Sequence, residues 1–213
     1  MPLERIPLHG LLSAGAERLR SRIAGHIRAG AVFVYPTETI YGIGGIAEPA
    51  VEERIRMAKG RHSENPMIVI AGRRETLGSL AVDFPPAAER LARHFWPGNL
   101  TLVLPGRNSA RGLAVRVSDH PFVRFVEESV GRPIYSTSAN LSGESYVNDP
   151  ERIARIFART ADFMIDAGAL PESKPSTVVR IGQDGTYAVV REGVVSKEDI
   201  ESAHRASIPS ESA

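Results

Sequence analysis

The 213-residue sequence contains no cysteine, which excludes disulfides, thiolate zinc ligands and a cysteine nucleophile. It also lacks any run approaching the roughly 20 apolar residues of a membrane helix. The N-terminal segment MPLERIPLHGLL places an Arg and a Glu before a short apolar stretch, unlike a secretory signal peptide. We therefore expect a soluble, cytoplasmic protein that has no membrane partner.

Lysine is scarce as well. The 26 basic residues include only three lysines, Lys59, Lys174 and Lys197, and the remainder are arginine. The formal net charge of +1 provides no overall electrostatic argument for nucleic-acid binding. The six histidines are scattered without metal-ligand spacing, so the sequence indicates neither a metal site nor a Ser-His-Asp triad.

Length and composition (42% hydrophobic, 24% charged) indicate one globular domain. Helical periodicity is found at 14–29, 49–59, 84–95, 120–130 and 149–159, and strand-like segments at 31–35, 67–71, 100–104, 113–117, 133–136, 162–166, 176–181 and 186–191. This alternation predicts an α/β sheet covered by helices, and the closely spaced late strands favour a mixed sheet. Ser196 and Asp199 resemble a capping box for a last helix. We expect residues 1–205 to form the domain and residues 206–213 to be a flexible tail.

The segment PTETIYGIGG at 36–45 follows a buried strand and combines hydroxyls, a carboxylate and a phenol with three glycines. Strand ends of this kind bind ligands in open α/β sheets, and glycines let backbone amides approach an anion. A tight connection from strand to helix would explain the same residues.

Lys59–Arg61 and Arg116 can each be explained either as part of a binding site or as ordinary surface cations. Lys59 and Arg61 form a compact loop suited to phosphate, although cations are also favoured at a solvated helix C-terminus. Arg116 interrupts an apolar strand, so Val115 and Val117 should point to the opposite face. Arg116 then lies either on a solvated face or in a cleft with an anionic partner.

Three more polar segments accompany strands: STSANLSG at 136–143, Lys174 to Thr177, and Arg191 to Gly193. Each is also typical of an ordinary turn. Taken together, the polar segments indicate a site that holds a phosphate ligand and a small polar ligand.

The order of the blocks PTETIYGIG, KGR, NPMIVI, FWPGNLTLVL, AVRVSDHP, STSANLSG, STVV and REG resembles the YrdC/Sua5 family over about residues 15–195. The resemblance implies a single α/β domain, a twisted mixed sheet flanked by helices, with a concave, positively charged face. It implies a nucleotidyltransferase that makes threonylcarbamoyl-AMP and pyrophosphate from L-threonine, bicarbonate or CO2, and ATP, for the t6A modification of tRNA. Mg²⁺ would accompany ATP without an organic cofactor, and tRNA and the downstream threonylcarbamoyl-transferase complex are further candidate partners.

The resemblance also implies roles for individual residues. Threonine would contact Thr37, Arg116, Ser136 and Ser176. ATP would contact Lys59, Arg61, Asn65, Gly112, Ser138, Asn140, Tyr146 and Arg191, with Lys59 and Arg61 as the catalytic cations. The pairs Lys174-Pro175 and Arg191-Glu192 resemble the YciO-like branch of the family, whereas the PTET, KGR and SAN blocks resemble the synthase branch.

Two other functions compete with this hypothesis. One is a non-catalytic protein that binds tRNA or rRNA through its basic face, which the low net charge does not favour. The other is a carbamoyl-adenylate-forming domain like that of hydrogenase maturation factors, which belongs to much longer chains.

Overall fold

A mixed β-sheet is the frame of the molecule. The structure, a computed structural model, describes residues 2–60, 67–80, 82–107 and 112–205, and within these ranges it contains ten strands and seven α-helices. The strands are β1 (Glu4–Pro7), β2 (Phe33–Pro36), β3 (Tyr41–Ile46), β4 (Ile68–Ala71), β5 (Leu100–Leu104), β6 (Leu113–Val117), β7 (Ile134–Ser138), β8 (Phe163–Asp166), β9 (Thr177–Ile181) and β10 (Tyr187–Arg191). The helices are α1 (Leu8–Leu12), α2 (Glu17–Arg28), α3 (Pro49–Ala58), α4 (Pro86–Phe95), α5 (Pro121–Val130), α6 (Pro150–Phe157) and α7 (Lys197–Arg205), with a 3₁₀ turn at Glu75–Ser79.

The strand order is β1-β8-β2-β3-β7-β4-β6-β5-β9-β10. The pairs β1/β8, β2/β8, β4/β6 and β5/β9 are parallel, and the other neighbouring pairs are antiparallel. The expected mixed sheet is thus confirmed, including the antiparallel β9 and β10 at the end of the chain. Strand order was not accessible from sequence, because most neighbours in the sheet are distant along the chain.

Two hydrophobic clusters cover different parts of the sheet. The first joins α2, α3, α5 and α6 to β1, β8, β2 and β3, with Phe33, Phe122 and Phe163 at its centre. The second joins α4 and α7 to β4, β5, β6 and β9 through residues such as Leu91 and Leu102. Burial of these side chains is the main source of stability, at about 25 cal/mol per Å² of apolar surface.

Local signals in the sequence account for most helix boundaries. Proline occupies the first turn of α3, α4, α5 and α6, where its missing N–H costs no hydrogen bond. The predicted cap of α7 is confirmed, because the Asp199 amide donates to Ser196 Oγ (3.1 Å) and Ser196 Oγ donates to Asp199 Oδ2 (2.7 Å). The helix predicted over 14–29 begins later, at Glu17, and the short α1 before it was not predicted. Among the described helices, none is long and apolar enough to cross a membrane.

The glycines of the PTETIYGIGG segment lie in a strand, where the sequence analysis expected a loop. Residues 41–46 are not a loop that exposes amides to an anion, but strand β3, paired on one side with β2 and on the other with β7. A Cβ at Gly44 would lie 2.2 Å from the Tyr135 carbonyl oxygen, and one at Gly45 would lie 2.4 Å from Val51 Cγ1. Glycine is therefore required here for close packing of backbone and side chains.

Strand β1 was also missed by the sequence analysis. Its four residues, ERIP, lack an apolar run, and they form a strand because they pair in parallel with Phe163–Asp166 of β8. Arg5 on this strand donates to Asp166 Oδ2 at 2.6 Å. Such a pairing depends on the tertiary position of β8 and leaves little local signal.

We expect Gly44→Ala to lower the free energy of unfolding by about 1–3 kcal/mol or more, because the methyl group must displace the backbone of β7. Gly25→Ala is the matched control. Its Cβ would meet no atom within 4 Å in the interior of α2, so it should raise stability by about 0.5–1 kcal/mol. Urea unfolding of both variants measures the two effects, and equal stability of the variants would contradict this account of β3.

Candidate ligand-binding cavity

A cavity of about 400 Å³ lies against the face of the sheet opposite α4 and α7. Thr101 and Val103 of β5 line it, while their neighbours Leu100 and Leu102 belong to the second hydrophobic cluster. The other described residues that line it are Thr37, Thr39, Ile40, Tyr41, Gly42, Met67, Ile68, Ile70, Ala114, Arg116, Ser136, Thr137, Ser138, Pro175, Ser176, Val178, Arg180, Val190 and Arg191. The site thus lies on the face of the sheet, and strand ends supply only part of it.

Arg116 is the most completely bonded cation of the cavity. Its Nη2 donates to Glu38 Oε2 (2.6 Å) and Asn99 Oδ1 (2.7 Å), and its Nε donates to the Gly98 carbonyl (2.8 Å). The second oxygen of Glu38 accepts from Ser118 Oγ at 2.6 Å. The Arg116 side chain is only 4% exposed, so it occupies the cleft rather than a solvated face, with a carboxylate as its partner. Val115 and Val117 point to the opposite face, as predicted.

The Ser136 hydroxyl accepts a hydrogen bond from the phenol of Tyr35, which reaches across strand β3. Tyr35 on β2 donates to Ser136 Oγ on β7 (2.6 Å), and β3 lies between these two strands. A Cβ at Gly44 would lie 3.2 Å from Tyr35 Cε1, so this glycine makes room for the ring. A Cβ at Gly42 would lie 3.1 Å from Ser136 Oγ, so that glycine makes room for the serine hydroxyl. Burial raises the pKa of Tyr35, which keeps the phenol protonated as a donor. Since Ser136 accepts this bond, its own proton is available to the cavity.

The other two residues assigned to threonine also line the cavity. Ser176 Oγ lies 2.9 Å from Thr101 Oγ1, and both side chains are buried. Thr37 Oγ1 donates to the Ile40 carbonyl (2.7 Å) and accepts from the Ile40 amide (3.2 Å), so it shapes the turn that forms one wall. The structure therefore places Thr37, Arg116, Ser136 and Ser176, the four residues that the family resemblance assigns to threonine, along one cavity.

Lys59 is buried, with 4% exposure, although it ends helix α3. Its Nζ donates to the Ser138 carbonyl and to Asn140 Oδ1 (3.3 Å). Asn140 in turn donates from Nδ2 to the carbonyls of Leu141 and Glu144. The alternative of a solvated helix C-terminus is thus wrong for Lys59, which joins α3 to the end of β7 and the loop after it.

The remaining residues assigned to ATP are more dispersed. Arg191 lines the cavity and donates to the Ser176 carbonyl (2.9 Å), whereas Tyr146 is 44% exposed and donates to the Ser173 carbonyl (2.9 Å). Gly112 has φ of +69°, and a Cβ there would lie 2.4 Å from the Leu104 carbonyl oxygen, so the backbone at this position itself requires glycine. Arg61 and Asn65 fall outside the described residues.

Sequence analysis did not select several side chains that form the site. Glu38, Asn99 and Ser118 surround the Arg116 guanidinium, and Tyr35 orients Ser136. The isolated Arg116 within an apolar strand was a signal for an anionic partner, but nothing in the sequence identified Glu38, 78 positions away. Among the described residues, no group of three or more His, Asp or Glu side chains is arranged to hold a metal ion.

Residues 26–193 match the family model for Sua5, YciO and YrdC proteins, which carries the description "Telomere recombination". The chain belongs to the Sua5/YciO/YrdC family. Proteins named threonylcarbamoyl-AMP synthase from Pyrococcus abyssi and Bacillus subtilis are 39% and 34% identical to it, over 87% and 85% of this chain. The alignments span 57% and 55% of those two proteins, so this chain corresponds to little more than half of each.

Solved structures of the family have the same fold. The crystal structure of P. abyssi Sua5 complexed with L-threonine gives a TM-score of 0.82 at 32% identity, covering 95% of this chain and 61% of that one. The crystal structure of E. coli YciO gives 0.78 at 27% identity, covering 92% and 98% of the two chains. The mixed α/β fold expected from sequence is therefore confirmed.

The burial of the Glu38–Arg116 ion pair leads to a prediction about the free energy of unfolding. Glu38→Ala should lower the free energy of unfolding by about 2–5 kcal/mol, because it leaves a buried guanidinium without its counter-charge. Glu38→Gln should cost less, since an amide oxygen still accepts from Arg116 while its NH₂ faces Ser118. Glu48→Ala, which removes an exposed pair with Arg132, is the control and should change stability by under about 1 kcal/mol. A loss for Glu38→Ala no larger than that of the control, by urea unfolding, would refute the prediction.

Proposed function

We propose that this chain forms L-threonylcarbamoyladenylate and pyrophosphate from L-threonine, bicarbonate or CO2, and ATP, and that the product serves t6A modification of tRNA. The observation that carries the proposal is a single cavity that combines a buried, pre-oriented arginine with two buried serine hydroxyls. Family membership and relatives named threonylcarbamoyl-AMP synthase support it. The complex of P. abyssi Sua5 with L-threonine supports the amino-acid substrate.

The threonine end of the proposed site is organised by Arg116. Its Nε and Nη2 are engaged by Gly98, Glu38 and Asn99, and no described residue accepts a hydrogen bond from Nη1. Nη1 is therefore the nitrogen that would donate to the α-carboxylate of threonine. Ser136 and Ser176 would bond to the remaining polar groups, with Thr37 as part of the wall.

The ATP end would involve Lys59, Ser138, Asn140 and Arg191, together with Arg61 and Asn65 from the sequence assignment. Lys59 Nζ already contacts Ser138 and Asn140, so the ammonium and the two polar residues act as one unit. None of the described residues that line the cavity is a carboxylate. Mg²⁺ would accordingly be held by the phosphate oxygens of ATP and not by a protein cage.

The proposed reaction needs no covalent enzyme intermediate. The threonine nitrogen adds to the carbon of CO2 and loses a proton, which gives an N-carboxylate. An oxygen of this carboxylate then forms a bond to the α-phosphorus of ATP, and the bond from that phosphorus to the bridging oxygen of pyrophosphate breaks. Positioning and neutralisation of developing negative charge are what the protein must supply.

The decisive test is incubation with ATP, bicarbonate and labelled L-threonine, followed by detection of the adenylate and of pyrophosphate. We expect both products with threonine and much less pyrophosphate with valine, which lacks the hydroxyl that the buried serines would bond. Pyrophosphate release that does not depend on threonine would indicate another acceptor. Absence of turnover together with salt-sensitive tRNA binding would instead favour the RNA-binding alternative.

Lys59 provides a second test, with Lys59→Met as the variant because methionine fills a buried site without charge. If Lys59 neutralises charge as pyrophosphate leaves, kcat should fall by about 10² or more, while the KM for threonine stays within about threefold. Asn140→Ala is the comparison, because it disturbs the same loop but keeps the ammonium. Equal losses in kcat for the two variants would mean that Lys59 acts only by holding the loop.

A further inference from the structure

The wall of the cavity formed by β9 and β10 carries two arginines. Arg180 lies on β9 between Val179 and Ile181, which are buried in the second hydrophobic cluster, so Arg180 faces the cavity side of the sheet. Its register partners are Val103 on β5 and Ala188 on β10. Arg191, near the end of β10, lines the same cavity.

Neither arginine has an acidic partner in the described part of the chain. Arg191 donates to the carbonyl oxygen of Ser176, and Arg180 makes no hydrogen bond or ion pair there. Partial burial lowers the pKa of Arg191. Other exposed arginines, such as Arg93, also lack an ion pair in the described chain, so what distinguishes Arg180 and Arg191 is their position on one wall of the cavity.

All charged side chains among the described residues that line the cavity are positive. Three arginines line it, and none of its described lining residues is acidic. Glu38, which does not line the cavity, compensates the charge of Arg116, so the uncompensated charge of the described lining belongs to Arg180 and Arg191 on the β9–β10 wall. Two unpaired guanidiniums on one wall suit a ligand with several adjacent anionic oxygens, because each can donate two parallel hydrogen bonds. A single carboxylate would need only one of them.

We propose that Arg180 is a ligand-binding residue that, with Arg191, forms a subsite for the polyphosphate chain of a nucleoside triphosphate. The inference rests on the proposed function for the identity of the nucleotide, but the subsite itself requires only a polyphosphate. Arg180 is accessible to solvent, so it can engage the phosphates as the ligand enters and remain in contact with pyrophosphate as it leaves.

The test is isothermal titration calorimetry of the full chain with inorganic triphosphate, ATP, AMP and L-threonine. Arg180→Ala should weaken binding of triphosphate and ATP about 5- to 20-fold at low salt, with a smaller difference at 0.5 M NaCl. Affinity for AMP and threonine should change less than about twofold. Arg93→Ala is the matched control, because Arg93 is an exposed arginine on α4, at the other face of the sheet, and should leave all four affinities unchanged.

Each outcome decides the proposal. It is overturned if wild-type protein does not bind triphosphate, if Arg180→Ala binds it as tightly as wild type, or if Arg93→Ala weakens it equally. Loss of tRNA binding in Arg180→Ala with unchanged triphosphate affinity overturns it in favour of an RNA contact. Weakened triphosphate binding in a chain that makes no adenylate would support the subsite while refuting the proposed synthase activity.

Discussion

The ion pair between Glu38 and Arg116 is the constraint on which the cavity depends. It joins the turn after β2 to strand β6, and β3, β7 and β4 lie between those two strands in the sheet. The Arg116 side chain is only 4% exposed, and its burial is tolerated because its N–H groups donate hydrogen bonds to oxygens of Glu38, Asn99 and Gly98. These bonds hold Arg116 in one orientation before any ligand arrives, which reduces the entropy that binding must overcome.

A second constraint is the lack of side chains at the glycines of strand β3. A Cβ at Gly44 would crowd the Tyr35 ring, and one at Gly42 would crowd Ser136 Oγ. Because both are absent, the phenol can reach across β3 to Ser136. The same strand is paired on both sides, so its amides belong to the sheet and are not free for a ligand. Glycines that would suggest an anion loop thus serve the site indirectly, by admitting the phenol that orients a serine.

The arginines that line the cavity differ in how far their charge is compensated. Arg116 is paired with Glu38, and its Nη1 has no acceptor among the described residues. Arg180 and Arg191 lack carboxylate partners in the described chain. A small zwitterion and a polyanion would therefore find different electrostatic environments within about 400 Å³. This difference is consistent with the proposed chemistry, which joins an amino-acid derivative to a nucleotide.

The α/β class and most helix and strand positions could be predicted from the sequence, because apolar periodicity and proline at helix starts are local features. The family blocks also singled out Thr37, Arg116, Ser136 and Ser176, which lie along one cavity. The sequence did not reveal β1 or β3, whose residues become strands only through the neighbours they pair with. Tertiary structure alone decided the partner of Arg116, the burial of Lys59 and the exposure of Tyr146. These properties depend on contacts between residues that are far apart in the sequence. Lys59 and Asn140, for example, are 81 positions apart, and they meet only because the order of the strands in the sheet brings their segments together.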